Sequence, residues 1–357
     1  EKWFFAKNLD RKSLQAAVCL AEDQTELRGR MRERNVVAFV ANGSILPRKS
    51  GVSDQPMKDS IPFISPKTME QSFVLPHHGE IRGMAVPAGI TLIVGGGYHG
   101  KSTMLSALQM GVYDHVAGDG REFVLADETA VKLRAEEGRS IRNTDISMFI
   151  NDLPNGKNTK SFSTPDASGS TSQAAGVLEG IEAGSRLFLI DEDTSATNFM
   201  VRDDFMQQVI SREKEPITPF LERAGDLYEK AGVSTILVAG SSGAFFYIAD
   251  HIIQMDCYKP VEITERVKAL CKEHQAPETQ APGFAVPSFA KVYAAGKSEN
   301  AKVKTFGRDS FSIDRETVDL RYVEQLADFE QTSALAYLTR YALEQLADSI
   351  HAVSDAM

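Results

Sequence analysis

One glycine-rich segment has the residue types and the spacing needed to bind phosphate groups. It follows the pattern G-x-x-x-x-G-K-[ST] and consists of Gly95, Gly96, Gly97, Tyr98, His99, Gly100, Lys101 and Ser102. In this pattern backbone N–H groups surround phosphate oxygens, the lysine reaches the terminal phosphates, and the hydroxyl after it binds Mg²⁺. A strand-like run, Ile90 to Val94, precedes the segment and a helix-forming run follows it, as the motif requires. The alternative interpretation is a glycine-rich turn that binds nothing.

Two adjacent carboxylates follow a second apolar run. Leu187 to Ile190 is typical of a buried strand, and Asp191 and Glu192 come directly after it. The carboxyl edge of a parallel sheet is where a phosphate-binding protein needs such groups. We predict that Asp191, with Ser102, holds Mg²⁺ and that Glu192 activates the attacking water as general base. The alternative is a strand that ends in an ordinary polar turn.

A loop of small polar residues, Ala167 to Gln173, lies between these two motifs and precedes a helix-forming run. Small residues at the start of a helix form an anion site, because the backbone N–H groups and the helix dipole both attract negative charge. The loop is therefore predicted to form an anion site, which could receive a γ phosphate.

Together these segments resemble the ABC ATPases, which carry a Ser-Gly-Gly-Gln type signature at a helix start just upstream of the second strand. Asp193 to Asn198 looks like the D-loop of the same class. The closest resemblance is to the predicted ATPases of the ABC class, in which Ile93 to Thr103, Ala167 to Ala175 and Ile190 to Met200 recur nearly as written. It extends from about Ala38 to Pro260. Bacterial members have a longer N-terminal region, so this chain is expected to be truncated.

The resemblance implies an activity, cofactors and an assembly. ATP and Mg²⁺ are expected at Gly95 to Thr103, with Lys101 and Glu192 as catalytic residues. Two copies are expected to pair head to tail, so that the phosphate-binding loop of one meets Ser168, Gly169 and Ser170 of the other. ATP would then close a homodimer and hydrolysis would open it. The chain also resembles a kinetoplastid mitochondrial member associated with RNA editing, which implies a mitochondrial location and binding of single-stranded or structured RNA.

Two departures from the ABC pattern lead us to expect slow hydrolysis. After the strand-like run Thr235 to Ala239, the segment Gly240 to Gly243 stands where ABC transporters carry a switch histidine that senses the γ phosphate. Asp145 to Asp152 contains no glutamine for a Q-loop, which leaves Asn151 or Asp152 in that role, or the link absent.

Aromatic side chains near the phosphate-binding loop need separate interpretation. An adenine-stacking aromatic is expected upstream of the loop, where Phe73, His77 and His78 are candidates, although for any one of them a place in the core or on the surface is the more common explanation. His99 is expected to fill space within the loop, because such loops act through backbone donors.

Alternating apolar runs and helical stretches predict an α/β fold with a mostly parallel sheet. The signature is expected on a helical insertion between Gly111 and Gly184. A helix and a strand (Val36 to Val40) are predicted before the core, and amphipathic helices from Leu320 onward after it. The predicted segments are an N-terminal accessory element, an ATPase domain, a linker and a C-terminal helical element, at 1–60, 61–275, 276–288 and 289–357.

Two basic clusters could bind RNA phosphates. They are Arg28, Arg30, Arg32, Arg34, Arg48 and Lys49, and Lys297, Lys302, Lys304 and Arg308. The alternative is a solvated charged face, since Glu22, Glu26 and Glu33 lie among the first group.

The overall composition limits the remaining classes of function. The net charge of −10 argues against general polyanion binding, and three cysteines in 357 residues indicate a reducing, intracellular compartment. No apolar run is long enough to predict a membrane span. The alternatives left open are a nucleotide-dependent clamp that does not hydrolyse ATP, the ATPase subunit of a transporter and, less consistent with the signature, a metabolic kinase.

Overall fold

The structure, a computed structural model, describes residues 10–51, 53–202, 209, 214–274, 276–277, 281–287 and 301–346. Lys297 and parts of the predicted linker and C-terminal element lie outside these residues. The helices are α1 (Arg11–Glu33), α2 (Lys101–Met110), α3 (Gly169–Glu182), α4 (Thr197–Met200), α5 (Phe220–Ala231), α6 (Thr264–Cys271) and α7 (Phe329–Tyr341). The strands are β1 (Val36–Ala41), β2 (Glu70–Leu75), β3 (Gly79–Pro87), β4 (Ile90–Val94), β5 (Val124–Ala126), β6 (Val131–Leu133), β7 (Arg139–Thr144), β8 (Phe162–Ala167), β9 (Leu187–Asp191), β10 (Ser234–Val238), β11 (His251–Asp256), β12 (Lys259–Glu262), β13 (Val303–Phe306), β14 (Ser310–Ile313) and β15 (Glu316–Asp319).

The chain forms two compact units. The described residues of the first fall within Glu1–Ala130, Arg186–Asp193 and Leu227–Pro277. Those of the second fall within Val131–Ser185, Thr194–Asp226 and Glu278–Met357. The four segment boundaries expected from the sequence stay a prediction.

The first unit contains the predicted parallel sheet. Its strands lie in the order β12, β11, β4, β10, β9, and the three predicted apolar runs form β4, β9 and β10. β10 pairs in parallel with β4 and with β9, in a register that places Val238 beside both Ile93 and Asp191. Strands buried on both faces are continuously apolar, which is why these runs were recognisable. The register brings the ends of all three strands to one edge of the sheet.

A second sheet of the first unit is antiparallel, in the order β2, β3, β1, β5. The predicted N-terminal helix and strand are confirmed as α1 and β1. Leu27 and Met31 of α1 join a buried cluster that includes Phe39 and Phe73. The N-terminal segment is therefore packed into this unit through its apolar side chains.

The first basic cluster is largely engaged in internal contacts, which removes Arg28 from the predicted phosphate surface. Arg28 is only 8% exposed, and its guanidinium donates to the carbonyl oxygens of Gly111, Tyr113 and Ala126. It also pairs with Asp114 at 3.2 Å.

Other members of this cluster are paired as well. Arg30 contacts Glu26 at 2.7 Å and Arg32 contacts Glu128 at 2.5 Å. Arg48 pairs with Asp119 at 2.9 Å, and Arg34 lies 4.4 Å from the centre of the Phe73 ring. The sequence could not show that these arginines pair within the protein and not with phosphates, because most of their partners are distant in the chain.

Arg28→Ala is expected to lower the free energy of unfolding by about 3 kcal/mol, because it removes the guanidinium that donates to three carbonyl oxygens and pairs with Asp114. The midpoint of urea unfolding, followed by circular dichroism, measures this. Arg30→Ala is the matched control, since it removes only an exposed pair on the same helix and should cost under about 0.5 kcal/mol. Equal effects of the two substitutions would contradict the structural role of Arg28.

The second unit is mixed rather than helical. Helix α3 does follow the signature, but the described residues between Gly111 and that helix contain strands and turns with no α-helix. β7 and β8 pair as an antiparallel two-stranded sheet in this segment. The predicted helical insertion is thus confirmed only for the helix that carries the signature.

The C-terminal part also differs from the expectation. β13, β14 and β15 form a three-stranded antiparallel sheet, and only then does α7 begin, with Asp328 as its N-cap. The helix predicted over Leu320 to Leu326 is wrong, because this stretch forms turns. Apolar residues three apart occur in turns as well as in helices, so the spacing alone was misleading. No helix within the described part of the chain has the length and apolarity needed to cross a membrane.

Candidate nucleotide-binding site

The glycine-rich loop connects β4 to α2 in the first unit. Gly95 has φ 144°, and a Cβ there would collide with the carbonyl oxygen of Met255 on β11. Gly100 has φ 99° and is the N-cap of α2, with no side chain capping that helix. The chain therefore turns sharply into a helix whose first N–H groups face the loop, as the motif predicts.

The loop side chains are arranged around this helix start. The Lys101 ammonium donates to the carbonyl oxygens of Gly95 at 2.8 Å and Gly96 at 2.9 Å. Ser102 is exposed, and Thr103 is partly exposed. Tyr98 has φ 64° and is fully exposed. The Lys101 side chain thus reaches back across the loop that would bind a phosphate, to its first residues.

His99 is held by the turn between β11 and β12. Its Nδ1 accepts from the backbone N–H of Cys257 at 3.0 Å, and its carbonyl oxygen accepts from the N–H of Tyr258 at 3.0 Å. A nitrogen that accepts this bond has no proton to share with Asp256, whose carboxylate lies 3.3 Å away. These contacts support the prediction that His99 supports the loop instead of binding phosphate.

Asp191 and Glu192 end β9 at the same sheet edge. Asp191 is buried, and its Oδ1 accepts from the Asp193 N–H at 3.2 Å. Glu192 accepts at Oε2 from the N–H groups of Gly240 at 2.7 Å and Ser241 at 3.0 Å, and at Oε1 from the Ser241 hydroxyl at 2.6 Å. The segment that replaces the switch histidine therefore holds the predicted base.

These contacts lower the pKa of Glu192. Burial acts to raise the pKa of its carboxyl group, but the hydrogen bonds from the Ser241 hydroxyl and from the backbone of residues 240–242 outweigh it and hold the pKa below its ordinary value. Glu192 is therefore ionised at neutral pH, which is the state a general base requires.

The donor set at this edge suits a magnesium nucleotide. A hydroxyl and a carboxylate, from Ser102 and Asp191, are the hard oxygen ligands that Mg²⁺ prefers, and substrate phosphates and water complete its coordination. The helix start and Lys101 supply the complementary positive charge for phosphate.

The signature loop belongs to the second unit. Ser168 is exposed and is the N-cap of α3, and its hydroxyl lies 3.3 Å from that of Ser170 and 3.0 Å from that of Thr171. The N–H of Gly169 donates to the Glu137 carboxylate at 3.0 Å. The Glu137 carboxylate of the chain itself therefore already occupies one backbone donor at the start of α3.

Gln173 links the signature to the D-loop-like segment. This fully buried side chain donates through Nε2 to the Ser195 hydroxyl at 3.0 Å and accepts at Oε1 from the Ala196 N–H at 3.0 Å. Gln173 therefore connects α3 to Ser195 and Ala196 by two hydrogen bonds.

The predicted adenine-stacking residues are all engaged elsewhere. Phe73 is completely buried and packs edge-to-face on Phe39, so it cannot stack on a ligand. The backbone N–H groups of His77 and His78 both donate to Asp23 at 2.8 Å.

The side chains of these two histidines have partners as well. The His77 ring contacts Glu22 at 2.5 Å, and the His78 ring packs against Phe123.

Of the Q-loop candidates, Asn151 donates to the carbonyl oxygen of Ser147 at 2.7 Å, and Asp152 has φ 49°. Their role as a Q-loop stays a prediction.

Sequence reasoning missed the partners of the predicted residues. Ser241 stands in the segment already noted for its missing histidine, so its position was a usable signal. Glu137 and Tyr258 carried no motif. Their roles depend on pairing between distant parts of the chain, which no local pattern reports.

The glycine-rich turn into α2 and the carboxylates at the edge of a parallel sheet define a P-loop nucleotide-binding protein. A family model described as the ABC_ATPase P-loop domain matches residues 10–290, and this chain belongs to that family. A model described as the MRB1590 C-terminal domain matches residues 302–357. The second match supports the resemblance to the kinetoplastid member associated with RNA editing.

Three individual proteins that resemble this chain are identical to it at 30% or fewer of the aligned positions. Uncharacterized protein MJ1628 of Methanocaldococcus jannaschii is 30% identical over 247 residues, 66% of this chain and 54% of that protein. The chain thus spans about half the length of this relative. The structure of cbiO1 from Clostridium perfringens, part of the ABC transporter complex cbiONQ, has a TM-score of 0.40 at 11% identity, covering 67% of this chain and 93% of that one. MJ1267 in its ADP conformation, an ATP-binding cassette of an ABC transporter, has a TM-score of 0.35 at 11% identity, covering 54% and 88%.

Proposed function

We propose that this chain is an ATPase that binds Mg-ATP, closes as a homodimer around it and couples this closure to the handling of RNA. The observation that carries the proposal is the position of Glu192, held by three hydrogen bonds at the sheet edge where the Lys101 loop begins. A phosphate site and a charged base at one edge are what ATP hydrolysis requires. The rate of phosphate release with Mg²⁺, with and without single-stranded RNA, tests it.

Each residue has a distinct role in the proposed reaction. The backbone N–H groups from Gly95 to Thr103 and the Lys101 ammonium bind the phosphates, while Ser102 and Asp191 hold Mg²⁺, which neutralises phosphate charge. Glu192 orients the attacking water and accepts its proton. Gly240 and Ser241 already fill three of the acceptor positions of the Glu192 carboxylate, so the attacking water competes with them for this group. This competition is consistent with slow turnover.

The signature is proposed to act across a dimer. The start of α3 carries exposed Ser168 and buried Gly169 and Ser170, so its donors can receive a γ phosphate only if the Glu137 carboxylate leaves Gly169. Two negative groups cannot share one donor without repulsion. The γ phosphate of a nucleotide bound to the other copy would supply the competing charge, which makes closure depend on ATP.

Ser168→Arg is expected to abolish ATP-driven dimer closure while ATP affinity of the monomer stays unchanged, because the large side chain fills the space that the partner's nucleotide needs. Light scattering with ATP measures closure, and calorimetry measures affinity. Ser168→Ala is the control and should still close, since it keeps the small volume. Normal closure of the arginine variant would contradict a role across the interface.

RNA binding is proposed for the C-terminal sheet. Lys302, Lys304 and Arg308 are exposed, and Phe306, at 52% exposure, lies two residues from Lys304 and so on the same face of β13. A basic strand with an exposed aromatic suits single-stranded RNA, since phosphates pair with the cations and bases stack on the ring. A role in mitochondrial RNA editing is part of this proposal and rests on the family resemblance.

Charge reversal of Lys304 and Arg308 together is expected to weaken RNA binding at least roughly tenfold and to flatten its salt dependence, because two phosphate contacts are lost. Fluorescence anisotropy with a labelled single strand measures both quantities. Arg30→Glu with Arg32→Glu is the matched control, since it makes the same charge change on α1. Equal losses in both double variants would show a nonspecific effect of net charge.

A nucleotide-gated clamp that does not hydrolyse ATP is the second candidate. The observation in its favour is that Glu192 accepts three hydrogen bonds from residues 240–241, which stand in place of the switch histidine.

A further inference from the structure

Tyr258 lies against the phosphate-binding loop although no motif includes it. It occupies the two-residue turn between β11 and β12, where Asp256 pairs with Lys259. Both turn residues have positive φ, 47° for Cys257 and 67° for Tyr258, as in the type I′ turns that favour Asn and Gly. A tyrosine is unfavourable in this conformation, so its presence calls for a compensating role.

The turn is fixed to the loop by several contacts. The Cys257 and Tyr258 N–H groups donate to Nδ1 and to the carbonyl oxygen of His99, both at 3.0 Å. The Tyr258 ring packs on Gly100, where an added Cβ would come within 2.8 Å of Cδ1. The Tyr258 ring is therefore held directly beside Gly100, the N-cap of α2.

Tyr258 still exposes 48% of its surface to solvent. It combines a fixed backbone with an accessible aromatic side chain, and it lies beside Gly100 of the loop that is proposed to bind the phosphates. Tyr98 is also exposed, but because it is fully so, no packing sets the direction of its ring. The upstream candidates Phe73, His77 and His78 are engaged in contacts of their own.

We propose that the Tyr258 ring stacks on the purine base of the nucleotide whose phosphates bind the Lys101 loop. The inference rests on the proposed function, because it assigns the base subsite of the same nucleotide. Aromatic rings stack on any base through their π faces, so this contact adds affinity for nucleotides without selecting strongly among purines.

Calorimetry of the full chain with Mg-ATP and with inorganic tripolyphosphate tests this assignment. Tyr258→Ala is expected to raise the Kd for ATP roughly tenfold and to leave the Kd for tripolyphosphate unchanged, since tripolyphosphate has no base. Tyr258→Phe should retain wild-type ATP affinity because it keeps the ring. Tyr258→Gly serves as a second deletion variant, since glycine adopts the positive φ of the turn without strain.

The outcomes separate this inference from the proposed function. Unchanged ATP affinity in the alanine and glycine variants would overturn it. Equal losses of ATP and tripolyphosphate would also overturn it, because Tyr258 would then act through the phosphate loop. A wild-type chain that binds neither ligand would overturn the proposed function and this inference with it.

Discussion

Replacing Lys101 by alanine is expected to abolish tight ATP binding, with Kd rising roughly a hundredfold or more. Lys101 is the first residue of α2, and its ammonium donates to two loop carbonyl oxygens. In the proposed complex the same donors would turn to the terminal phosphates, and hydrogen bonds between charged groups are about twice as strong as neutral ones. Calorimetry with Mg-ATP and with ADP measures the loss, which should be larger for ATP because the lysine reaches its last phosphate.

Lys259→Ala is the matched control for this substitution. Lys259 is exposed on β12 beside the turn that holds the loop, so its removal changes the net charge equally without removing a proposed phosphate contact. Its ATP affinity should stay within about twofold of wild type, as for a distant surface charge in salt. ATP affinity of Lys101→Ala equal to that of this control would refute the assignment of Lys101.

Glu192→Gln is expected to lower turnover by roughly 10²- to 10⁴-fold while ATP binding persists, because the amide keeps the shape but cannot accept a proton. Closed dimers should then accumulate, since hydrolysis is the step proposed to open them. Single-turnover phosphate release and the lifetime of the ATP-bound dimer measure the two effects. The lowered pKa of Glu192 also predicts that wild-type turnover falls only at pH values below the ordinary carboxyl range.

Ser241→Ala distinguishes the base from the network around it. This variant removes the hydroxyl donor to Glu192, which should raise the pKa of the carboxyl group and move the acid limb of the pH–rate profile upward, with a smaller loss of turnover than Glu192→Gln. If Glu192→Gln matches wild type in turnover and in dimer lifetime, the clamp becomes the better assignment. Copurification with a membrane protein would instead favour the transporter subunit.

The predictable part of the site is local in the chain. The loop from Gly95 to Ser102 has its conformation set by two glycines and by the flanking strand and helix, all adjacent in sequence. The run before Asp191 is apolar throughout because β9 is buried completely, and such a run can be recognised from the sequence alone. The start of α3 at the signature was equally visible, since small polar residues precede a helix-forming run.

The unpredicted part depends on partners that are far apart in the chain. Arg28 looked like a surface cation until its three buried carbonyl partners were known. The C-terminal strands show little alternation of apolar and polar residues, because β15 is exposed along its whole length. The apolar spacing after these strands suggested a helix that does not form. For Arg28 and for the C-terminal segment alike, the sequence showed the residue types but not which side chains are buried on folding.

By itself, the sequence determined that this chain has a glycine-rich turn between a strand and a helix, a carboxylate pair at a strand end and a loop of small polar residues at a helix start. It predicted their roles as phosphate-binding loop, magnesium and base site, and signature. Backbone conformation and apolar runs are short-range properties, so they can be read from neighbouring residues. The tertiary structure alone decided that Ser241 holds Glu192, that Glu137 occupies the signature helix and that Tyr258 lies against Gly100. These contacts are set by strand register and by packing between distant segments, which act only once the chain has folded.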